Sequence, residues 1–160
     1  MPDEDMWAGF FDPGYILTQL GFNDLDSLVE FGCGYGTFSL AVAPRTRGVV
    51  VTLDIEPAMV EATRRKVREM GLRNVEVVLR DFVVEGTGLA ENSVSHAMVF
   101  NILHAENPTG LLREALRVLL PGGKVGVIHW NYDPNTPRGP DLEHPDPPGA
   151  VPSVGPPSGL

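Results

Sequence analysis

The chain has 160 residues, which is enough for one domain with a core of its own. Its 21 acidic and 12 basic side chains give a formal net charge of -9, which argues against nucleic acid as the main partner. Cys33 is the single cysteine, so a disulfide framework within the chain is excluded and a reducing cytoplasm is favoured. The sequence shows neither a basic leader nor an apolar run of about 20 residues. We therefore expect a cytoplasmic protein with no membrane partner.

Residues 1–26 are predicted to form an N-terminal cap segment followed by one helix. Apolar side chains recur at helical spacing over 12–21, with Ile16, Leu17 and Leu20 on one side. Three aromatic residues precede this helix: Trp7, Phe10 and Phe11. Two roles are open for them, since they could cover a bound ligand or pack on the sheet.

Short apolar runs alternate with amphipathic segments through the body of the chain. Five of the apolar runs are predicted as strands, at 27–32, 48–55, 74–81, 95–102 and 124–130. Regular alternation of strands and helices favours right-handed crossovers, a parallel sheet and helices on both of its faces. The predicted fold class is therefore α/β, with a mostly parallel sheet.

Two helices are predicted between these strands. The first begins at Pro57 and ends before Gly71, and its basic stretch 63–69 is interpreted as a solvated face rather than a nucleic-acid patch. The second begins at Pro108 with Asn107 as its N-cap. The predicted buried faces are Val60, Val67 and Met70 on the first helix and Leu112, Leu116, Leu119 and Leu120 on the second.

The composition changes after residue 132. Residues 133–160 contain nine of the 15 prolines and show neither helical nor strand periodicity. Proline fixes φ and lacks a backbone donor, so such a segment cannot build a sheet ladder or a long helix. We expect an irregular Pro- and Gly-rich tail.

A glycine-rich loop follows the first predicted strand, in the stretch VEFGCGYGTF. Gly32, Gly34 and Gly36 stand at every second position of this loop. Ligands of parallel sheets bind beyond the carboxyl ends of the strands, and glycine there lets a ligand approach the backbone closely. The dinucleotide fingerprint G-x-G-x-x-G requires a third glycine at the position of Thr37. The loop therefore indicates a nucleotide-like ligand other than a dinucleotide, with a purely structural turn as the alternative.

Acidic residues end the second and third predicted strands. Asp54 lies about 20 residues after the loop, where a carboxylate can accept hydrogen bonds from both ribose hydroxyls. The alternative is an acid that caps the following helix. Asp81 could accept from an adenine amino group and Phe82 could cover the base, unless Arg80 and Asp81 are simply surface residues.

The chain resembles class I S-adenosylmethionine-dependent methyltransferases, and more closely their small-molecule, quinone-biosynthesis-like branch. The likeness covers residues 27–132 and rests on five segments in the family's order: LVEFGCGYG, VVTLDIEPAMVEATRRKV, VEVVLRDF, VFNILH and LLREALRVLLPGGKVGVIHW. The resemblance implies a Rossmann-like three-layer sandwich with S-adenosylmethionine as cofactor and S-adenosylhomocysteine as product. It makes 27–132 the cofactor-binding domain.

The resemblance also implies roles for individual residues. Glu30 would orient the methionine end of the cofactor or the loop itself, Gly32 and Gly34 would admit the cofactor, and Asn101 would lie beside the reacting methyl group. The full set of cofactor-binding residues predicted in this way is Glu30, Gly32, Cys33, Gly34, Gly36, Asp54, Ile55, Asp81, Phe82 and Asn101. No metal site is predicted.

The methyl acceptor is predicted to be a small molecule. Base-amino methyltransferases carry an Asn/Asp-Pro-Pro-aromatic motif after the fourth strand, where this chain has NILH. His104 and His129 follow the fourth and fifth strands, so either could act as a base if the acceptor loses a proton, or be structural. Trp130 and Tyr132 could line the acceptor pocket or belong to the core.

The resemblance departs from the family after the fifth strand. Family members continue with a helix and an antiparallel strand pair, and we expect this chain to lack that pair, which leaves the fifth-strand edge open to a homodimer. The first predicted function is a methyltransferase acting on a small molecule. The alternative is an S-adenosylmethionine-binding but catalytically incomplete module or partner subunit. A nicotinamide-dependent oxidoreductase is a third possibility, against which Thr37 argues.

Overall fold

The computed structural model describes residues 4–129 of the chain. Contacts divide the chain into two compact units, Met1–Ile128 and His129–Leu160, and the first unit is described below. The predictions for Trp130, Tyr132 and the tail at 133–160 lie outside the described residues.

The described residues form five helices and five strands. They are α1 (Glu4–Ala8), α2 (Pro13–Leu20), β1 (Leu28–Phe31), α3 (Ser39–Val42), β2 (Val50–Asp54), α4 (Pro57–Glu69), β3 (Val75–Leu79), β4 (Val94–Phe100), α5 (Pro108–Val118) and β5 (Leu119–Ile128). A 3-10 turn at Ala43–Arg45 follows α3. The predicted strands all form, while α1 is a helix that was not predicted from the sequence.

The five strands make one sheet in the order β3-β2-β1-β4-β5, and every neighbouring pair is parallel. This confirms the predicted α/β fold class. The chain runs outward from β1 in both directions, so the sheet has a topological switch point between β1 and β4. Ligands of such sheets bind beyond the carboxyl ends of the strands at that point. The predicted lack of a further strand pair concerns residues outside 4–129 and stays a prediction.

The core lies on both faces of the sheet. Leu28 and Val29 are adjacent in β1 and fully buried, and each belongs to a different hydrophobic cluster. Because successive strand side chains point to opposite faces, the two clusters lie on opposite faces. One cluster packs α5 on the sheet, and the other packs α2 and α3. A central strand buried on both faces explains the continuous apolar runs in the sequence.

The ends of the helices follow the residues that the sequence offers as caps. Asp12 Oδ1 accepts a hydrogen bond of 2.9 Å from the Tyr15 N–H at the start of α2. Asn107 Oδ1 accepts one of 2.8 Å from the Gly110 N–H, which confirms the predicted N-cap of α5. Pro57 is the first residue of α4, as predicted. These caps satisfy N–H groups that have no partner inside a helix.

The predicted buried faces of α4 and α5 are wrong in part. Met70 is exposed and only caps α4, while Thr63 is fully buried in its place. On α5 the buried residues are Leu111, Ala115 and Val118, at helical spacing, and Leu116 is exposed. The helix ends before the Leu119–Leu120 pair, which begins β5. The many leucines of this stretch are compatible with more than one buried helix face, and the predicted face was displaced by one residue.

Glu114 of α5 pairs with Arg117 one turn further along the helix and also binds Thr87 in the loop before β4. Glu114 Oε1 accepts hydrogen bonds from the Thr87 N–H (2.7 Å) and hydroxyl (2.6 Å), and both its oxygens accept from Arg117. The Arg117 hydrogen bond, followed by those from Thr87, lowers the pKa of Glu114 to about 2 against the opposing effect of burial. An acid with a lowered pKa stabilises the fold above its ordinary pKa of 4.5, and this contribution is lost as the pH falls toward 2.

We predict that Glu114→Gln lowers the free energy of unfolding at pH 7 by about 2 kcal/mol, because Thr87 and Arg117 lose the charged acceptor of their hydrogen bonds. The difference between variant and wild type should shrink when urea unfolding is repeated at pH 3. Glu61→Gln is the matched control, since Glu61 pairs with Arg68 at 3.0 Å but both side chains are 63% exposed. A loss of stability that does not depend on pH would contradict the assignment to charge.

Candidate functional site

A cavity of about 220 Å³ lies beyond the carboxyl ends of β1, β2 and β4. The sequence-predicted residues that line it are Glu30, Gly32, Cys33, Gly34, Asp54, Ile55, Phe82, Asn101 and His104. Gly36 and Asp81 are not among its lining residues, and His129 belongs to the second unit, where its side chain is exposed. The fold thus brings together nine of the positions that the sequence analysis selected.

The glycine loop connects β1 to α3 along one wall of the cavity. Gly32 has a φ of 78° and Gly36 a φ of 80°, a backbone region that favours glycine. A Cβ on Gly32 would lie 3.0 Å from Ile102, and one on Gly36 would lie 2.9 Å from Leu40. Gly36 therefore lets α3 pack closely, which is a structural reason for the early third glycine. Its predicted contact with the cofactor stays a prediction.

Asp54 ends β2 and ties this loop to the neighbouring strand. Its Oδ2 accepts a hydrogen bond of 2.8 Å from the Gly34 N–H, and its Oδ1 accepts one of 2.9 Å from the Glu56 N–H. The N-cap residue of α4 is Glu56, so Asp54 is not the cap of that helix. A carboxylate has about four lone-pair sites, so both oxygens can still accept further hydrogen bonds at the cavity.

Glu30 is a carboxyl group enclosed by the protein at the floor of the cavity. Its Oε2 accepts hydrogen bonds from the Ser39 hydroxyl of α3 and, at 3.0 Å, from the Thr52 hydroxyl of β2. Burial raises the pKa of Glu30 to about 7, against the opposing effect of the two hydroxyl groups, and the charge of Asp54 adds to the rise. A cation placed in the cavity would favour the ionised form.

Thr63 on α4 holds the loop from the other side. Its hydroxyl donates a hydrogen bond of 2.9 Å to the Gly34 carbonyl, and the Cys33 thiol lies 3.7 Å from the same hydroxyl oxygen. Burial, followed by the charges of Glu30 and Asp54, raises the pKa of Cys33 to about 12. The thiol is therefore protonated and belongs to the packing of the loop.

We predict that Cys33 resists alkylation in the folded protein at pH 8. A pKa of about 12 reduces the thiolate fraction by about 1,000-fold relative to a free cysteine, and the thiolate is the reactive form. Iodoacetamide labelling followed by mass spectrometry measures this directly, because Cys33 is the single cysteine of the chain. The urea-denatured chain is the control and should label at the ordinary rate. Rapid labelling of the folded protein would contradict the assignment.

Asn101 follows β4 with a φ of 57°, a left-handed conformation that is uncommon for residues other than glycine. Its side chain is buried at the cavity, and its Nδ2 has no hydrogen-bond partner within residues 4–129. An unpaired buried amide costs about 1–3 kcal/mol, so such a group marks a place where a ligand acceptor or water binds. His104 also lines the cavity, with an exposed side chain.

The two residues that follow β3 differ in their surroundings. Phe82 is buried against Phe31, with ring centroids 5.7 Å apart and ring planes at 85°, and it lines the cavity. Asp81 Oδ1 instead accepts from the backbone N–H groups of Val83 (3.2 Å) and Val84 (3.1 Å). Asp81 therefore stabilises the turn after the strand, and its predicted adenine contact stays a prediction.

Aromatic rings connect the N-terminal segment to the cavity wall. Trp7 lies in α1, lines the cavity and contacts Phe11 with a centroid distance of 5.1 Å. Phe11 contacts Phe38 at 5.5 Å, and Phe38 contacts Phe100 at 4.6 Å. Phe10 lies 6.4 Å from Trp7. The two roles left open for these aromatic residues are compatible, since the rings pack on the domain and Trp7 also faces the cavity.

No helix within residues 4–129 is long and apolar enough to cross a membrane. The same residues contain no group of three or more His, Cys, Asp or Glu side chains that could hold a metal ion.

Together the parallel sheet, the glycine loop and the acid after β2 define an α/β domain with a ligand site at its topological switch point. The family described as methyltransferase domain matches residues 28–123, which is more than half of the chain. The chain therefore belongs to the methyltransferase domain family, and the resemblance to class I S-adenosylmethionine-dependent enzymes is confirmed.

Similar proteins support this membership. A demethylmenaquinone methyltransferase of Listeria welshimeri is 31% identical over 122 residues, which cover 74% of this chain and 49% of that protein. An uncharacterised 37.1 kDa protein in transposon Tn4556 of Streptomyces fradiae is 36% identical over 80% of this chain and 37% of its own length. This chain thus spans no more than about half of these relatives.

A crystal structure of a SAM-dependent methyltransferase from Aquifex aeolicus is similar to the whole fold. It is 26% identical, covers 86% of this chain and 73% of its own, and superimposes with a TM-score of 0.75. The Rossmann-like architecture expected from the sequence is thus confirmed.

Proposed function

We propose that this domain binds S-adenosylmethionine in the cavity at the carboxyl ends of the strands and transfers its methyl group to a small molecule. The observation that carries the proposal is the hydrogen bond from the Gly34 N–H to Asp54 Oδ2, since a carboxylate beside a glycine loop is suited to accept from ribose hydroxyls. The product would be S-adenosylhomocysteine. The single cysteine favours a cytoplasmic location.

The lining of the cavity fits this cofactor. Asp54 would accept from the ribose hydroxyls and Phe82 would cover the adenine ring. The Glu30 carboxylate would attract the cationic methionine end, and the unpaired Asn101 Nδ2 would donate to an acceptor on the ligand. S-adenosylmethionine supplies a methyl group already activated by a sulfonium. The residues therefore need to bind, orient and exclude water, and positioning provides much of the rate.

The cavity also has an aromatic part, which we assign to the acceptor. Trp7, Phe38 and Phe100 line it, which suits a flat or apolar acceptor. His104 lines the same cavity and would take a proton where the acceptor loses one, as a hydroxyl group does. The Listeria relative is named for demethylmenaquinone, which is a small-molecule acceptor of this kind.

A second candidate is a cofactor-binding module that is completed by another subunit, including a second copy of this chain. The observation that favours it is β5, which among the described residues pairs with β4 alone. Val125 and Val127 of β5 are 39% and 46% exposed. An exposed apolar edge strand is a template for pairing with another chain.

Isothermal titration calorimetry with S-adenosylmethionine, S-adenosylhomocysteine and NAD tests both candidates. We expect binding of the first two and none of NAD. Methyl transfer to quinol, phenol or sterol acceptors would then support the enzyme. Cofactor binding without transfer to any acceptor, together with a concentration-dependent dimer by light scattering, would support the second candidate. Failure to bind either adenosyl ligand would overturn both, and NAD binding would indicate an oxidoreductase.

A further inference from the structure

The basic stretch 63–69 on α4 contains one lysine whose side chain is largely buried. The Lys66 side chain is 21% exposed, whereas Arg65 and Arg68 are 62% and 63% exposed. The two arginines therefore fit the predicted solvated face of the helix, whereas Lys66 does not. A lysine buried to this degree needs partners for its ammonium group.

Lys66 has three partners, and they come from two separate parts of the chain. Its Nζ donates a hydrogen bond of 2.9 Å to the Tyr35 carbonyl and lies 5.6 Å from the centre of the Tyr35 ring. The same Nζ forms an ion pair with the carboxylate of Glu4 in α1. Tyr35 stands between Gly34 and Gly36, so Lys66 connects the glycine loop to the N-terminal helix.

This connection bears on the cavity because α1 also carries Trp7. The helix has only five residues, and a helix of that length has little stability of its own in water. Its place against the domain therefore depends on side-chain contacts, which include the Glu4–Lys66 pair and the ring contacts of Trp7 with Phe10 and Phe11. One lysine thus anchors both the loop and the segment that holds a wall of the cavity.

We infer that Lys66 is a positioning residue that couples the glycine loop to the Trp7 wall, so that ligand binding at the loop and closure of that wall support each other. The inference rests on the proposed function, since the ligand at the loop is taken to be the adenosyl cofactor. Coupling of this kind is reciprocal: holding the wall closed strengthens binding, and binding holds the wall closed. Lys66 touches neither the cofactor nor the reacting atoms in this role.

Tryptophan fluorescence can follow the wall directly. The chain has two tryptophans, so a Trp130→Phe background leaves Trp7 as the single reporter. In this background we expect S-adenosylhomocysteine to reduce the quenching of Trp7 by acrylamide. Lys66→Met should weaken S-adenosylhomocysteine binding by about tenfold and leave Trp7 open to acrylamide with or without ligand.

Further variants separate positioning from a general loss of structure. Glu4→Gln removes only the ion pair, so it should expose Trp7 as strongly but weaken binding less, because the bond to Tyr35 remains. Lys66→Arg should restore part of both effects, since it keeps the charge. Arg68→Met on the same helix is the matched control and should behave as the wild type. If the Lys66→Met protein does not fold, the Glu4→Gln protein is used to test the inference.

The outcomes distinguish this inference from the proposed function. Wild-type affinity and wild-type quenching of Trp7 in both Lys66→Met and Glu4→Gln would overturn the inference while leaving cofactor binding intact. If the wild-type protein itself binds no S-adenosylhomocysteine, the proposed function fails and the inference fails with it. Weakened binding with unchanged Trp7 quenching would reduce Lys66 to a support of the loop alone, which also overturns the coupling.

Discussion

Asp54→Ala is expected to weaken S-adenosylmethionine binding by at least about 100-fold, the largest effect expected of the substitutions proposed at the site. Two hydrogen bonds from ribose hydroxyls to a charged acceptor contribute about 1.5–3 kcal/mol each, and both are lost. The variant also removes the acceptor for the Gly34 N–H, so the loop loses its tie to β2. Calorimetric titration of S-adenosylmethionine into the wild-type and variant proteins measures the change.

Two comparisons make this test specific. Asp54→Asn retains one carbonyl oxygen that can accept from Gly34 or from the ligand, so its affinity should lie between those of the other two proteins. Asp24→Ala is the matched control, because Asp24 is an exposed acid that pairs only loosely with Arg47 at 3.9 Å. Thermal unfolding shows whether the fold is kept. An unchanged affinity in a folded Asp54→Ala protein would mean that the ribose assignment is wrong.

The strands were predictable because their hydrophobic signal is strong. β1 and β2 are buried at every residue, so their sequences are apolar except at Glu30 and Thr52, and β2 ends at Asp54, which lines the cavity. The acid after β2 and the glycine loop after β1 follow from the same topology, because parallel strands bring their carboxyl ends to one edge. This is why Asp54 and Gly34, 20 residues apart, could be assigned to one site from the sequence, although the hydrogen bond between them was not predicted.

The polar residues that support the site were not predictable in the same way. Ser39, Thr52 and Thr63 are fully buried and bind Glu30 or the Gly34 carbonyl, yet each stands where a hydrophobic pattern is interrupted. In a single sequence a small hydroxyl residue at such a position looks like a defect of the pattern. Its partner comes from another element, and only the tertiary structure shows it. A signal was nevertheless present, since buried carboxyl groups need donors and hydroxyl residues are the smallest donors available.

The other source of error was the choice of which helix face is buried. The sequence allows several helical faces in LLREALRVLL, and the choice among them depends on where the sheet lies. Leu111, Ala115 and Val118 face the sheet because α5 ends where Leu119 enters β5. The short helices α1 and α3 have too few residues to show periodicity, and their positions depend on tertiary contacts such as the pair between Lys66 and Glu4.

Glu30→Gln is expected to change stability and binding in opposite directions. Burial raises the pKa of Glu30 from 4.5 to about 7, so the folded protein prefers the neutral carboxyl group. For an acid with a raised pKa, the stabilising contribution is complete below pH 4.5 and is lost as the pH rises through 7. Glutamine imitates the neutral form and can still accept from the Ser39 and Thr52 hydroxyls. The free energy of unfolding of the variant should therefore exceed that of the wild type by up to about 3 kcal/mol at pH 8. At pH 4 the two values should be nearly equal.

The same substitution should weaken cofactor binding. A cationic ligand favours the ionised Glu30, so wild-type affinity for S-adenosylmethionine should rise as the pH increases through 7, whereas that of Glu30→Gln should be lower and should lack this rise. Urea unfolding at pH 4, 6, 7 and 8 and calorimetry at pH 6, 7 and 8 measure the two quantities, with the exposed Glu76→Gln as control. Ordinary structural damage lowers stability and binding together. A variant that is more stable but binds more weakly would show that Glu30 is kept at a cost to the fold because a cation binds beside it, and a variant that is less stable at pH 8 would contradict this account.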